Sequence, residues 1–336
     1  MALARYLGRK LAWTVVVLFV ALLLNFLLPR LIPGNPVDAI VGQLARGGGT
    51  GGEQLQQIHA HFMQEFGLDE PLWQQFLIYV NNLLHGDFGT SFGQYPAPVS
   101  SLIGDALPWT IAIQLPAIIV GWVLGHILGA VAAFKGGWFD RGAFVGSLFF
   151  SSVPPFAFAI ILLFIVGVQL GVLPVGGAYS FGMTPEWSLT FFGDAVTYFW
   201  LPFWSLVLVF IGGQAVGMRS MAVYELGTDY VNFNRGLGVK DGFTVRYIFR
   251  NAMLPQITGL ALSIAALISG GLITELVFSY PGLGTLLFNA IGQNDYPVIQ
   301  AITLLITVAV LVANFAVDVL TGVIDPRIRA AQSGER

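Results

Sequence analysis

The sequence predicts an all-α polytopic membrane protein: six transmembrane helices, both termini cytoplasmic, and an extracytoplasmic insertion between helices 1 and 2. Two observations carry this. Of 336 residues, 56% are hydrophobic and only 10% are charged, against a charged share of roughly 25% in soluble domains. Fifteen bases and 18 acids cannot cover a water-facing surface of this size, so lipid must solvate much of the chain. The second observation is the spacing of apolar runs. A bilayer core of ~30 Å needs about 20 apolar residues in a helix. Six such runs occur, at approximately 11–32, 109–134, 143–170, 201–221, 254–278 and 298–323.

The division that follows is a tail and first span over 1–32, an extracytoplasmic segment over 33–108, a five-helix core over 109–323 and a tail over 324–336. The core includes a long cytoplasmic loop at about 223–253. The first span could pass for a signal peptide. It is too long for one, and Pro33 and Pro36 stand where a peptidase needs an extended small-x-small site. In the polar segment, the glycine-rich run 47–52 reads as a flexible loop entering a short helix at Glu53.

Basic residues set the orientation. Arg5, Arg9 and Lys10, then Lys135 and Arg141, then Arg219, Arg235, Lys240, Arg246 and Arg250, then Arg327, Arg329 and Arg336 place 13 of 15 on one side. That side is cytoplasmic. Ten acids, among them Asp194 and Asp295, fall on the other side and read as an ordinary solvated exterior. The absence of cysteine excludes disulfides, thiolate metal sites and a cysteine nucleophile.

Catalytic patterns fail. None of Lys10, Lys135 and Lys240 follows glycine, so no phosphate-binding Gly-Lys-Ser/Thr loop exists. No His-Glu-x-x-His occurs. Glu275 and Asp318 lie near the ends of the fifth and sixth spans. Stranded acids are functional candidates in a membrane, but span-end positions favour structural roles. Glu275 and Ser279 are kept as candidates for a pathway or gate. His126 reads as a packed or hydrogen-bonded residue. Gly121, Gly125 and Gly129, spaced by four, admit the backbone of another helix.

The segment Tyr224–Asp241 is the most informative. Thr228 or Asp229 can cap a short helix whose Tyr230, Val231, Phe233 and Leu237 recur near helical spacing, with Gly238 as its stop. About thirty residues join two spans where a handful would serve, which marks a docking element.

From these residues the chain resembles the permease subunits of binding-protein-dependent ABC importers, in the dipeptide and oligopeptide branch. The matching stretches are Asp229-Tyr230-Val231, Arg235 to Gly238 and Arg250 to Pro255, then Glu275-Leu276-Val277-Phe278 with Pro281-Gly282-Leu283-Gly284. Asp295-Tyr296-Pro297, Asp325-Pro326-Arg327, Pro33-Gly34-Asn35-Pro36 and His85-Gly86-Asp87-Phe88-Gly89 agree as well. The coupling loop departs from the family's usual pattern: Asn234-Arg235-Gly236-Leu237-Gly238 has two glycines and one fewer positive charge.

The resemblance implies a coupling helix that docks on an ATPase subunit, with Asp229, Tyr230, Asn234, Arg235 and Gly238 as its contact residues. It implies no catalytic group, metal or cofactor in this chain, since ATP and magnesium belong to two partner ATP-binding subunits. A second homologous permease and an extracytoplasmic solute-binding protein complete the expected assembly in the bacterial inner membrane. Short peptides are the expected cargo, with oligosaccharides and nickel chelates as alternatives. An autonomous secondary transporter or channel would need midplane ionisable relays or an inverted repeat, and neither is present.

Overall fold

A computed structural model describes residues 2–31, 37, 41, 52–65 and 68–324. The expected glycine run before Gly52, the Pro33–Pro36 exit and the tail motif Asp325-Pro326-Arg327 lie outside the described residues. Regular structure among those described is helical, with one isolated bridge between Thr90 and Pro98. In chain order the helices are α1 (Ala2–Leu31), α2 (Gly52–Glu65), α3 (Leu72–Leu84), α4 (Val99–Lys135), α5 (Gly137–Ser152) and α6 (Pro155–Leu162). Then come α7 (Leu189–Leu226), α8 (Asp229–Gly236), α9 (Asp241–Val277), α10 (Leu283–Gly292) and α11 (Tyr296–Ile324). A wider π-type turn, Leu163–Gln169, prolongs α6.

Four helical stretches are each long and apolar enough to cross a membrane: Tyr6–Arg30, Val99–Lys135, Leu189–Leu226 and Tyr296–Leu320. The expected third span is not straight. Its two halves, α5 and α6 with the π turn, are bent by 101°, and as one broken span they make a fifth. Pro154 and Pro155 cause the break, since neither can donate to the preceding turn and each pushes its predecessor out of the helical region. The expected fifth span falls in α9, whose apolar part Ser263–Val277 is short for a bilayer by itself. Its first turns instead carry Arg246, Arg250 and Asn251.

Contacts divide the chain into two compact units. The first, residues 1–14, 109–284 and 310–336, is built on α7. Helices α5, α6 and α9 all pack on it, and α4 meets it through the glycine stripe. Gly121 lies under Phe210, Gly125 against Gln214 and the Ile211 carbonyl, and Gly129 against the Ala215 carbonyl and the Arg219 amide. A Cβ at Gly125 would stand 2.6 Å from that of Gln214, which no real packing tolerates, so the glycines fix how close α4 and α7 come. A core of Ile113, Ala117, Phe203, Leu206, Val207 and Tyr280 extends this seam.

Two ion pairs tie helices of this unit together. Arg219 of α7 donates two hydrogen bonds, each 2.6 Å, to the carboxylate of Asp140 in α5, and its guanidinium lies 4.6 Å from the Phe144 ring centre. This two-pronged geometry is the strong form of an ion pair. Asp318 likewise receives Lys10 Nζ at 2.9 Å, while Gly322 makes room for the buried Tyr6 ring. His126 is buried and its Nδ1 lies 2.7 Å from the Trp122 carbonyl.

The second unit comprises residues 15–108 and 285–309. Here the reading of the external acids needs correction, because Asp295 is buried rather than solvated. Its carboxylate accepts the Ser91 hydroxyl and the backbone N–H groups of Phe92 and Gly93, the last two at 3.1 and 2.9 Å. It also sits before α11, where such an acceptor satisfies first-turn donors. In the first unit Asp194 is similarly engaged, by the Ser180 amide at 2.7 Å and hydroxyl at 2.6 Å. Neither carboxylate belongs to a free anionic exterior.

Adjacent glycines of α7 give a paired test of this packing. A Cβ on Gly212 would come within 2.6 Å of the Ser147 carbonyl and 2.7 Å of the Ser151 amide, whereas one on Gly213 meets nothing within 4 Å. Gly212→Ala is expected to destabilise the detergent-solubilised protein by about 1–3 kcal/mol, and Gly213→Ala to leave its melting temperature unchanged or slightly higher.

Candidate functional site: the coupling elbow and the Glu275 turn

The loop residues singled out by sequence between the fourth and fifth apolar runs form an elbow between α7 and α9. Helix α7 ends at Leu226 and α8 begins at Asp229, so only Gly227 and Thr228 join them. The joint is closed by the Gly227 N–H on the Tyr224 carbonyl (3.2 Å), and by the Thr228 N–H and hydroxyl on the Glu225 carbonyl (3.1 and 2.6 Å). Thr228 thus occupies the cap position with its side chain turned back to α7. Its carbonyl accepts the first α8 amide bonds, from Val231 at 3.2 Å and Asn232 at 3.4 Å. Asp229 stands in the first turn, where a negative charge complements the helix dipole.

Tyr230 reaches back across the elbow and donates its hydroxyl to Glu225 Oε2 at 2.7 Å. Burial and the neighbouring Glu225 carboxylate both push the Tyr230 phenol above its ordinary value. Val231 is fully buried against Ala133 of α4, Ala222 of α7 and Ile248 of α9. The helix stops as its glycine dictates: Gly238 has φ +67°, and the Val239 N–H donates to the Asn234 carbonyl at 3.0 Å, the long bond of a Schellman cap. Asn234 itself is half-buried. The Arg235 backbone lies within α8, and its side chain lies outside the described residues. The opposite face is open, with Phe233 67% and Leu237 65% exposed. The fold thus anchors one side of α8 in the span ends and leaves an apolar side uncovered, an arrangement suited to a partner surface.

Glu275 and Ser279 lie at the other end of α9, roughly 50 Å along the helix from Asp241 by axial rise. Glu275 is buried, and its carboxylate accepts the Gly284 N–H at 2.7 Å and the Gln114 amide at 3.2 Å. The Leu283 N–H donates to Thr110 Oγ1 at 2.8 Å. Gly282 passes so near the Glu275 carboxylate, and Gly284 so near the Leu272 carbonyl, that neither position has room for a Cβ. The Tyr280–Gly284 turn is therefore strapped down on α9 and α4. Ser279 begins it with a positive φ of +49° and an exposed side chain. The loop before α7 is tied to the same place, through the Gly177 N–H on the Phe278 carbonyl at 2.8 Å.

Sequence reading missed Thr110 and Gln114 as the partners of Glu275. The signal was present: they are two polar residues four apart in an apolar run, hence on one helix face. The Arg219–Asp140 pair was also missed, because its members are far apart in sequence.

The apolar helices, the broken span and the capped elbow with its open face are the features of a membrane-embedded transport component. Comparison with known proteins agrees. Residues 121–330 match the family described as "Binding-protein-dependent transport system inner membrane component", and residues 3–114 match its N-terminal part. The chain is 33% identical over 339 residues to the di/tripeptide transport system permease protein of Pseudomonas aeruginosa, covering 96% of this chain and 98% of the relative. It is 30% identical to the oligopeptide transport system permease protein of Bacillus subtilis, covering 97% and 99%. It is 33% identical to the glutathione transport system permease protein of Salmonella choleraesuis, covering 96% and 98%. The chain belongs to the family of binding-protein-dependent transport system inner membrane components.

Glu275→Ala would leave the Gly284 amide and the Gln114 side chain without their buried acceptor. Each such loss costs about 1–3 kcal/mol, so a clear fall in melting temperature is expected while the protein still inserts in the membrane.

Proposed function

We propose that this permease carries short peptides inward by alternating access, with α8 as the element through which ATP-binding partners move it. The di/tripeptide, oligopeptide and glutathione permeases it resembles along nearly their whole length support the cargo class. The elbow carries the mechanism. An eight-residue helix anchored at Val231 and tied at Tyr230 transmits a push on its open face to α7 and α9, whose ends close around it. Packed helices of this kind respond by rocking as rigid bodies between discrete arrangements.

In this reading the chain has six spans, α9 completing the set, and the 13 basic residues of one side hold both termini and α8 in the cytoplasm. The division into a first span, an extracytoplasmic segment at 33–108 and a permease core belongs to the same reading. One wall of the pathway comes from this chain, the other from a second, homologous permease. Two ATP-binding subunits supply the energy with their own ATP and magnesium, and an extracytoplasmic solute-binding protein delivers the peptide. Asp229, Tyr230, Asn234, Arg235 and Gly238 meet or shape the ATPase contact. Glu275 and the strapped turn hold Ser279 at the gate end of α9.

Two measurements test this. Arg235→Glu is expected to leave insertion intact and to separate ATP hydrolysis from uptake in vesicles holding all subunits; unchanged uptake would remove Arg235 from the coupling surface. For the cargo, di- and tripeptides should raise the melting temperature of the cognate binding protein and be accumulated by the complete importer. A response to oligosaccharides or nickel chelates alone would replace the peptide assignment.

A further inference from the structure

Between α1 and α4 the chain carries two short helices of opposite character. Helix α2 presents Gln54, Gln56, Gln57 and Gln64 on its exposed positions, the surface of a helix in water. Helix α3, LWQQFLIYVNNLL, contains no charged residue. Its exposed positions carry Leu72, Trp73, Leu77, Ile78 and Leu84, with Trp73 66% and Leu84 81% exposed, and a single polar residue, Asn81. Charge returns immediately outside it, with Asp69 and Glu70 before and Asp87 after, all exposed.

The other face of α3 shows where this apolar surface lies. Phe76 packs edge-on against Phe26 and Phe19, with ring centres 5.2 and 6.5 Å apart, and Tyr79 lies 5.6 Å from Phe26. Asn25 donates to the Tyr79 hydroxyl at 3.1 Å, and Arg30 donates to Gln75 at 3.1 Å. These partners belong to α1, an apolar span running from Tyr6 to Arg30. Phe19 is near the middle of that span, ~16 Å by axial rise from Arg30 at its polar end. Helix α3 is therefore held beside hydrocarbon-depth residues and not above the membrane. Around it the surface of α1 is itself apolar and open, at Val16, Val20, Leu24 and Leu28.

We infer that α3 is a membrane-embedded helix whose Leu72, Trp73, Leu77 and Leu84 face is covered by lipid acyl chains, continuing the lipid-facing surface of α1. It enters the leaflet at the Arg30 end of that span. At 13 residues it is too short to cross, which is the length range of interfacial and re-entrant segments. From Gln74 onward its amides are bonded within the helix or to the Pro71 carbonyl, which takes the Gln74 and Gln75 amides at 2.9 and 3.0 Å, as hydrocarbon requires. The first turn, at Leu72 and Trp73, lies at the polar end where the chain enters. The segment expected to stand free outside the membrane is thus split: α2 is in water, α3 is in lipid.

The chain lacks cysteine, so single spin labels report without background once the partner subunits are also cysteine-free. Labels at Trp73→Cys, Leu77→Cys and Leu84→Cys, with Gln56→Cys as the water reference, are read in the complete importer in proteoliposomes. The three α3 positions should collide with oxygen several-fold more than with a water-soluble nickel chelate, the reverse of Gln56→Cys, with or without the binding protein. Preference for the nickel chelate at α3 would place it in water. Low collision with both reagents would mean that a protein covers this face, and either result overturns the inference. Should labelled variants fail to assemble, brominated acyl chains must quench wild-type tryptophan emission more than that of Trp73→Phe; equal quenching overturns it as well.

Discussion

Close contact between the backbones of α4 and α7 is the constraint on which the rest of the first unit depends. In lipid, helices gain little from burying apolar surface against one another, because the solvent is as apolar as the side chains. Dispersion contacts must hold them, and these fall away with a gap of half an ångström. Three glycines in register on α4 remove the side chains that would open such a gap towards α7, and Gly212 of α7 does the same towards α5. With α4, α5, α6 and α9 all seated on it, α7 moves only as part of a block.

That rigidity gives the elbow its meaning. Two residues separate α7 from α8, and the Gly227 and Thr228 amides and the Thr228 and Tyr230 hydroxyls all find acceptors within the elbow. The Arg219–Asp140 pair fastens α5 to α7 less than three turns before the joint. At the far end of α9, Glu275 and Gln114 strap the Tyr280–Gly284 turn to α4. In the proposed mechanism a displacement imposed on α8 is passed along α7 and α9 towards the Ser279 turn, each helix carrying one internal proline, Pro202 and Pro255.

Much of this was legible in the sequence because it follows from local chemistry. Apolar run length located the four helices that are long and apolar enough to cross a membrane, the i, i+4 glycines announced a close helix neighbour, and Gly238 marked the end of α8 because an αL residue was needed there. What stayed hidden depends on residues distant in sequence. Nothing near Asp295 indicates that Ser91, Phe92 and Gly93 would fold over it, so it read as one more external acid. Pro154-Pro155 announced a break, but its angle is set by where α5 and α6 find α7. Helix α3 was obscured for another reason: its 13 residues are too few to register as a span, and only its contact with Phe19 reveals its depth.

The central claim is that the elbow is a stiff lever, and stiffness can be removed without touching any contact face. Inserting Gly-Gly between Gly227 and Thr228 leaves α8, Arg235 and the exposed Phe233 and Leu237 intact while freeing them from α7. Uptake and ATP hydrolysis are then measured together in proteoliposomes containing all subunits. The account predicts that hydrolysis persists and uptake is lost; uptake at the wild-type rate per ATP hydrolysed would contradict it.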